Sequence, residues 1–269
     1  MTELPSTTPV PGDASLEGRV VVITGASRGI GRAVARTAAA FGAHVALCDK
    51  EPGLDEVCAS LPHGTESFAA QLDVRDREAV AAFVAEVEAR FGVVHGLVNN
   101  AGGTFRSEFL AASAKGDAAL IAENFTSVVD VTRAVVPLMS VGGSIVNVTS
   151  SEAFQAAPGF AVYAAMKSAQ ENLTRTLALE LADRGIRVNA VAPDGIPTEG
   201  DDELAAATQR EGVFRPPPVP PLGRFAAPSA CASVIVFLLG DLAGFVTGSS
   251  VNVDGGLHAA GGWHRSIAD

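Results

Sequence analysis

The chain is poor in basic residues relative to acidic ones. It contains 19 Lys and Arg against 30 Asp and Glu, which gives a formal net charge of −11 at pH 7. Nucleic-acid phosphates are bound through clustered Lys and Arg, and anionic membrane surfaces attract the same residues. The sequence contains no such cluster, so neither a nucleic acid nor a membrane is an expected partner.

Cysteine, histidine and long apolar runs are also scarce. The three cysteines, Cys48, Cys58 and Cys231, lie in apolar segments without a Cys-x-x-Cys pair, which predicts reduced, packed thiols and a cytoplasmic protein. The longest apolar run, Cys231 to Leu239, is far shorter than the ~20 residues that a membrane-spanning helix needs. The five histidines show no metal-ligand spacing, so no metal is expected.

Length and composition predict one domain. A chain of 269 residues with 48% hydrophobic content is large enough to bury a single α/β core. Residues 1–17 lack the basic start and apolar stretch of a signal peptide and are expected to form a flexible leader. The domain is predicted over residues 18–257, with a C-terminal tail at 258–269.

A glycine-rich turn between Val20 and Phe41 organises this domain. A β-branched run ends at Thr24, glycines follow at 25, 29 and 31, and helical spacing of apolar residues begins at Ile30. Such a strand, turn and helix leaves free N–H groups at the start of the helix, where a phosphate binds well. Asp49 ends the next apolar run, 18 residues beyond Gly31, near the ~20-residue offset of a carboxylate that binds an adenosine ribose.

Apolar runs alternate with helical patterns along the whole chain, which indicates a parallel sheet covered on both faces. Strands are predicted near residues 20–25, 43–48, 66–72, 94–99, 143–149, 186–192 and 250–253. The longer predicted helices are Arg75 to Phe91, Asp117 to Met139 and Pro158 to Asp183.

Polar residues follow several of these strands, at the edge of the sheet where ligands of open α/β folds bind. Asn99-Asn-Ala-Gly102 follows the fourth strand, and Thr149, Ser150 and Ser151 follow the fifth. Tyr163 comes thirteen residues after Ser150, and Lys167 lies at i+4 on the same helix face. An ammonium near a phenol lowers the pKa of the phenol from about 10 toward the range of a general base.

Together these motifs resemble the single-domain branch of the short-chain dehydrogenases/reductases. The resemblance covers residues 18–257 and rests on Thr24-Gly-Ala-Ser-Arg-Gly-Ile-Gly31, Leu72-Asp-Val74, Asn99-Asn-Ala-Gly102, Asn124, Ser150, Tyr163-Ala-Ala-Met-Lys167, Arg187-Val-Asn-Ala-Val-Ala-Pro193 and the segment from Val246-Thr-Gly to Asp254-Gly-Gly256. It implies a Rossmann-type doubly wound parallel sheet with strand order 3-2-1-4-5-6-7, helices on both faces and a homotetramer.

The resemblance also implies an oxidoreductase that transfers a hydride between a nicotinamide cofactor and a secondary alcohol or ketone. Tyr163 would act as the acid/base, Ser150 would hold the substrate oxygen, and Lys167 would bind the nicotinamide ribose. Asn124 would anchor a water that relays protons. The cofactor-binding residues are expected to be Gly25, Ser27, Arg28, Gly29, Ile30, Gly31, Asp49, Asp73, Val74, Asn100, Ala101, Gly102, Tyr163, Lys167, Pro193, Gly195, Ile196 and Thr198.

Two sets of residues point to different cofactors. Asp49 would accept hydrogen bonds from the ribose hydroxyls and repel a 2′-phosphate, which favours NAD. Arg28 and Lys50 are cations that could serve NADP instead. NAD is the expected cofactor, with NADP as the alternative.

Asp194 is the main departure from the family pattern, because it stands where Pro-Gly is usual. Its carboxylate either lies near the nicotinamide, where it would favour the oxidised ring, or is a solvent-facing turn residue while Gly195 takes the backbone role.

A lid over the substrate is expected at residues 196–222. Apolar side chains suggest a lipophilic substrate such as a steroid, terpenoid or alicyclic alcohol, although they could equally be core or subunit contacts. The predicted substrate residues are Ser150, Phe154, Phe160, Tyr163, Val213 and Phe214, with Ile196 as a further wall.

Two other functions stay open at this point. The first is an NADPH-dependent ketoreductase of carrier-bound acyl or polyketide chains: Arg184 is suitably placed for an acidic carrier, but Pro137 to Val141 contains no Lys or Arg. The second is a dinucleotide-binding sensor or scaffold without turnover. The complete set of Asn124, Ser150, Tyr163 and Lys167 argues against the second.

Overall fold

A computed structural model describes residues 8, 10–199 and 219–261. Most of the predicted lid, including Val213 and Phe214, and much of the predicted leader and tail therefore lie outside the described residues. Within the described ranges, no helix is both long and apolar enough to span a bilayer.

The described residues form a seven-stranded sheet in the order β3-β2-β1-β4-β5-β6-β7, in which all paired strands are parallel. This confirms the predicted fold class. The strands are β1 Val20–Thr24, β2 His44–Asp49, β3 Ser67–Gln71, β4 Val94–Asn99, β5 Met139–Val148, β6 Arg187–Pro193 and β7 Ser250–Val253. All five residues of β1 are buried, as expected for a central strand covered on both faces.

Helices cover both faces of the sheet and create a separate apolar core on each side. One core includes Val34 and Ile235, from two helices that pack against each other, and the other includes Val84 and Val131. The α-helices are α1 Gly29–Ala40, α2 Leu54–Ala59, α3 Arg77–Phe91, α4 Ala114–Ile121, α5 Ser127–Val135, α6 Ala161–Glu180, α7 Ser229–Leu239 and α8 Leu257–Ala260.

Helix α3 begins two residues later than predicted because Asp76 caps it. The Asp76 carboxylate accepts hydrogen bonds from the backbone N–H groups of Glu78, at 3.0 Å, and Ala79, at 3.1 Å. A capping residue keeps a non-helical backbone, so the helix starts at Arg77 rather than Arg75.

The predicted helix over 117–139 is wrong as a single element. A π turn at Ala122–Thr126 separates α4 from α5, and α5 ends at Val135. A 3-10 turn at Val136–Leu138, which contains Pro137, then leads directly into β5 at Met139. Proline lacks the N–H that a continuing helix needs, and Met139 pairs with Val94 at the start of β4.

Candidate active site

The carboxyl ends of the central strands surround a cavity of about 730 Å³. Parallel strands bring their C-terminal residues to one edge of the sheet, which is why residues far apart in sequence meet here. The predicted site residues that line the cavity are Gly25, Arg28, Gly29, Ile30, Asp49, Asp73, Val74, Asn100, Ala101, Gly102, Ser150, Phe160, Tyr163, Lys167, Pro193, Gly195, Ile196 and Thr198. Of the predicted residues that the structure describes, four are absent from this lining, namely Ser27, Gly31, Asn124 and Phe154.

The glycine-rich turn depends on two backbone conformations that favour glycine. Gly25 has φ +66° and Gly29 has φ +55°, so both lie in the left-handed region. Asn100 fixes the turn from the neighbouring strand, because its side-chain amide donates to the carbonyls of Thr24, at 3.0 Å, and Gly25, at 2.9 Å. Asn100 lines the cavity, and its side chain therefore holds the glycine turn in place at the cavity wall.

Gly31 serves close packing rather than ligand contact. A Cβ atom at this position would lie 2.0 Å from the carbonyl oxygen of Gly25 and 2.6 Å from the Asn100 side chain. The third glycine thus allows α1 to lie directly against the turn, which explains why it is buried outside the cavity lining.

The Gly31→Ala variant is expected to lose at least about 3 kcal/mol of unfolding free energy, because the clashing atom is backbone and cannot move aside. Urea unfolding followed by circular dichroism measures this loss. Gly12→Ala is the control, since a Cβ atom added at Gly12 would have no heavy atom within 4 Å. Equal midpoints for both variants and the unmutated protein would contradict the packing role of Gly31.

Asp49 ties the glycine turn to β2. Its carboxylate is 8% exposed and accepts hydrogen bonds from the backbone N–H of Ser27, at 2.9 Å, and the Ser27 hydroxyl, at 2.7 Å. Its other oxygen accepts from the backbone N–H of Glu51, at 3.0 Å. Ser27 thus acts behind the cavity wall by orienting Asp49, while Asp49 itself lines the cavity.

A carboxylate that sequence reasoning missed lies at the start of α1. Glu199 accepts a hydrogen bond from the backbone N–H of Gly29, at 3.1 Å, and forms an ion pair with Arg32. Hydrogen bonds from its own backbone N–H and from Arg32 hold the pKa of Glu199 below its usual range. The N-terminus of α1 therefore accommodates the negative charge of this side chain, and binding of a cofactor phosphate there stays a prediction.

Tyr163 and Lys167 lie on one face of α6 and both line the cavity. The Lys167 ammonium lies 5.6 Å from the centroid of the Tyr163 ring and donates to the carbonyl of Val148, at 2.9 Å. Burial lowers the pKa of Lys167 to about 8, although Glu123 and Glu152 oppose the shift. A cation with so little hydration is well suited to stabilise a neighbouring phenolate.

Asn124 shapes the π turn from a fully buried position. Its side-chain amide donates to the carbonyls of Gly103, at 2.8 Å, and Leu120, at 3.0 Å. Its backbone carbonyl accepts a hydrogen bond from the buried side chain of Gln170. These contacts hold α4 and α6 against the loop after β4, and the proposed part of Asn124 in a proton relay stays a prediction.

Two carboxylates stand beside the serines that follow β5. The Ser150 hydroxyl donates to Glu152, and the Ser151 hydroxyl donates to Asp194. Asp194 lines the cavity, and burial, reinforced by the charge of Glu152, raises its pKa. No role was predicted for Glu152 from the sequence. Its position two residues after Ser150 was the signal that could have identified it.

Phe154 lies outside the cavity lining. The residue is 39% exposed, and its ring packs against the His258 ring, with centroids 5.3 Å apart. The cavity lining contains Phe160 and three apolar residues that were not predicted for this purpose, Phe105, Leu120 and Phe225.

Among the described residues of the lining, acidic side chains outnumber basic ones. The carboxylates are Asp49, Glu51, Asp73, Glu123, Glu152 and Asp194, and the cations are Arg28, Lys50 and Lys167. This balance favours a ligand with a positive group over one with additional negative charge.

A doubly wound parallel sheet, a glycine turn at the end of β1 and a cavity along the strand ends define the dinucleotide-binding class of α/β proteins. Comparison with known proteins narrows this class. A family model described as Enoyl-(Acyl carrier protein) reductase matches residues 25–258.

Several relatives match over almost their whole length. A 3-oxoacyl-acyl-carrier-protein reductase of Thermotoga maritima is 39% identical, over 90% of this chain and 98% of its own. A meso-2,3-butanediol dehydrogenase of Serratia marcescens is 36% identical, and the match covers 93% of this chain and 99% of that protein. The crystal structure of a levodione reductase superposes with a TM-score of 0.83 at 29% identity. The match covers 91% of this chain and 99% of that chain. The chain belongs to the short-chain dehydrogenase/reductase family.

Proposed function

We propose that this protein is an NAD-dependent oxidoreductase that interconverts a secondary alcohol and its ketone. The observation that carries the proposal is the placement of Tyr163, Lys167 and Ser150 around one end of a cavity whose other end is formed by Asp49 and the glycine turn. A nicotinamide dinucleotide bound along this cavity would supply the hydride donor or acceptor. Gly25 and Gly29, the N-terminus of α1 and Asp49 would hold its phosphates and adenosine ribose.

The protein's own residues would transfer the proton and bind the substrate oxygen. In oxidation, the hydroxyl proton of the alcohol passes to the phenolate oxygen of Tyr163 as the hydride leaves the carbon. In reduction, the phenol returns a proton to the carbonyl oxygen. Ser150 donates its own proton to Glu152, so its lone pairs are free to accept a hydrogen bond from an alcohol O–H.

The charge of the lining supports NAD. Among the described lining residues, the excess of six carboxylates over three cations would stabilise the positively charged nicotinamide ring of the oxidised cofactor. A 2′-phosphate would add negative charge beside Asp49, at a cost of up to ~4 kcal/mol for unit charges 4 Å apart at an effective dielectric of 20.

A lipophilic alicyclic alcohol or ketone is the proposed substrate class. Phe105, Leu120, Phe160 and Phe225 would provide apolar walls of the cavity that Tyr163 lines, while Glu152 and Asp194 accept hydrogen bonds from Ser150 and Ser151. Reduced cysteines support the cytoplasm as the compartment, and the homotetramer is part of the proposal as a family property.

A 3-oxoacyl-carrier reductase is the second candidate because relatives with that name share up to 39% identity. One feature of the sequence disfavours it. Pro137 to Val141 contains no Lys or Arg that would meet an acidic carrier, although Arg184 lies at the surface beside Val136.

The test is NAD⁺ reduction, followed by absorbance, with a panel of alicyclic and steroid alcohols, small hydrophilic diols and a 3-hydroxyacyl thioester. We expect the alicyclic alcohols to give the highest kcat/KM, and NAD⁺ to be preferred to NADP⁺. Faster turnover of hydrophilic diols would overturn the substrate class. NADPH-dependent reduction of a 3-oxoacyl thioester as the dominant reaction would favour the second candidate, and dinucleotide binding without turnover would indicate a sensor.

A further inference from the structure

An ion pair joins the end of β2 to the π turn. Lys50 directly follows Asp49 at the end of β2, and its ammonium lies 2.8 Å from the carboxylate of Glu123 in the π turn. Both residues line the cavity. The pair therefore holds the Lys50 ammonium, which extends from the end of β2, at the π turn.

Glu123 is the anchored member of this pair. Its side chain is 18% exposed, whereas that of Lys50 is 44% exposed. A Cβ atom at Gly103 would lie 3.1 Å from the Glu123 carboxylate, so this carboxylate rests against the backbone of the loop after β4. Asn124, next in the chain, fixes the π turn to the same loop. Lys50 thus adapts its position to Glu123.

A second cation is also engaged. Arg75 holds both carboxylate oxygens of Asp73 at 2.9 Å, and this bond raises the pKa of Arg75. Asp73 and Lys50 both line the cavity, so two acid–base pairs lie along the wall that would face the adenosine. In each pair, a carboxylate binds a cation that would otherwise be available to bind a 2′-phosphate.

We propose that Glu123 is a cofactor-specificity determinant that acts by sequestering Lys50. Held by Glu123, the Lys50 ammonium is withheld from a phosphate on the 2′-oxygen of the adenosine ribose. Asp49 then meets that position without the Lys50 charge beside it, which selects the 2′-hydroxyl form. The inference rests on the proposed dinucleotide site and deepens it, because it assigns the choice between NAD and NADP to a residue remote from the glycine turn.

The test is a double-mutant cycle on Glu123 and Lys50, read out by calorimetric titration with NAD⁺ and NADP⁺. Glu123→Gln keeps the shape of the side chain and releases Lys50. We expect the ratio of Kd for NADP⁺ to Kd for NAD⁺ to fall by about tenfold, mainly through tighter NADP⁺ binding. Lys50→Met alone is expected to change the ratio less than about twofold, and in the Glu123→Gln background it is expected to abolish the gain.

Binding is the required readout because Glu123 also raises the pKa of Lys167, so that turnover would respond for a second reason. Glu86→Gln is the charge-matched control, since Glu86 pairs with Arg90 on α3 outside the cavity lining. It is expected to leave the ratio unchanged. Glu123→Ala provides a second route to the same release of Lys50.

Several outcomes would overturn the inference. An unchanged ratio in both Glu123 variants, or an equal loss for both dinucleotides, would show that Glu123 does not select the cofactor. A tenfold gain that survives Lys50→Met would show that the carboxylate acts without Lys50. Those results leave the dinucleotide site intact, whereas failure of the unmutated protein to bind either dinucleotide would overturn the proposed function as well.

Discussion

The Tyr163→Phe variant is expected to lose about 10³-fold in kcat while it remains folded and still binds dinucleotide. The substitution removes one oxygen atom, which is the atom proposed to exchange a proton with the substrate. Lys167, 5.6 Å from the ring centroid, keeps its bond to the Val148 carbonyl in the variant. The loss should therefore appear in the chemical step, as measured by single-turnover kinetics.

Thr176→Val is a matched control for Tyr163→Phe. It also removes a hydroxyl from α6, but that hydroxyl is exposed and donates to the carbonyl of Asn172, at 3.1 Å. Its turnover should stay within about twofold of the unmutated protein. A Tyr163→Phe variant with comparable turnover would refute the acid/base assignment.

Replacing Lys167 with methionine is expected to impair catalysis and to stabilise the fold. Without the ammonium, the phenol loses the cation 5.6 Å from its ring centroid, and kcat should fall about 10²-fold at neutral pH. Burial of the ammonium lowers the pKa of Lys167 from 10.5 to about 8, which corresponds to a cost of up to ~3 kcal/mol at pH 7. After the lost bond to Val148 is subtracted, the variant should gain about 1–2 kcal/mol of unfolding free energy.

The gain should depend on pH with a definite sign. The folded chain releases the Lys167 proton near pH 8, and the unfolded chain retains it up to about 10.5. The unfolded state therefore binds more protons in this interval, so the stability of the unmutated protein rises with pH and its difference from Lys167→Met shrinks. Urea unfolding at pH 7 and pH 10 measures this change.

Lys115→Met, which removes an exposed ammonium on α4, serves as the control and should show no such pH dependence. A Lys167→Met protein that is less stable than the unmutated one at pH 7, with an unchanged pH slope, would show that burial of the ammonium carries no cost.

The sequence predicted the sheet well because each strand is a short β-branched or apolar run that ends at a turn. β1, buried at every position, and β4, which ends at Asn99, both match their predicted bounds within one residue. The region from 117 to 139 could not be predicted in the same way. Its π turn depends on hydrogen bonds from Asn124 to Gly103, a contact that exists only after folding.

The residues of the candidate site also fall into those that the sequence predicted and those that it did not. Motif residues such as Tyr163, Lys167 and Asp49 were predicted and lie at the cavity. Glu123, Glu152 and Glu199 were not predicted, because a carboxylate acquires a role only when folding brings a hydroxyl, an amide or a cation to it. Asp194 was noticed as an unusual residue, and the structure places it on the cavity wall, bonded to Ser151.

The central claim is that Lys167 makes the Tyr163 phenol acidic enough to exchange a proton with substrate. The chain contains 1 tyrosine, so the tyrosinate absorbance of the folded protein reports on Tyr163 alone. Titration of the NAD⁺ complex should show a pKa well below the ordinary value of about 10 for this phenol, and Lys167→Met should raise it. A phenol that titrates at or above its ordinary value in both proteins would contradict the account.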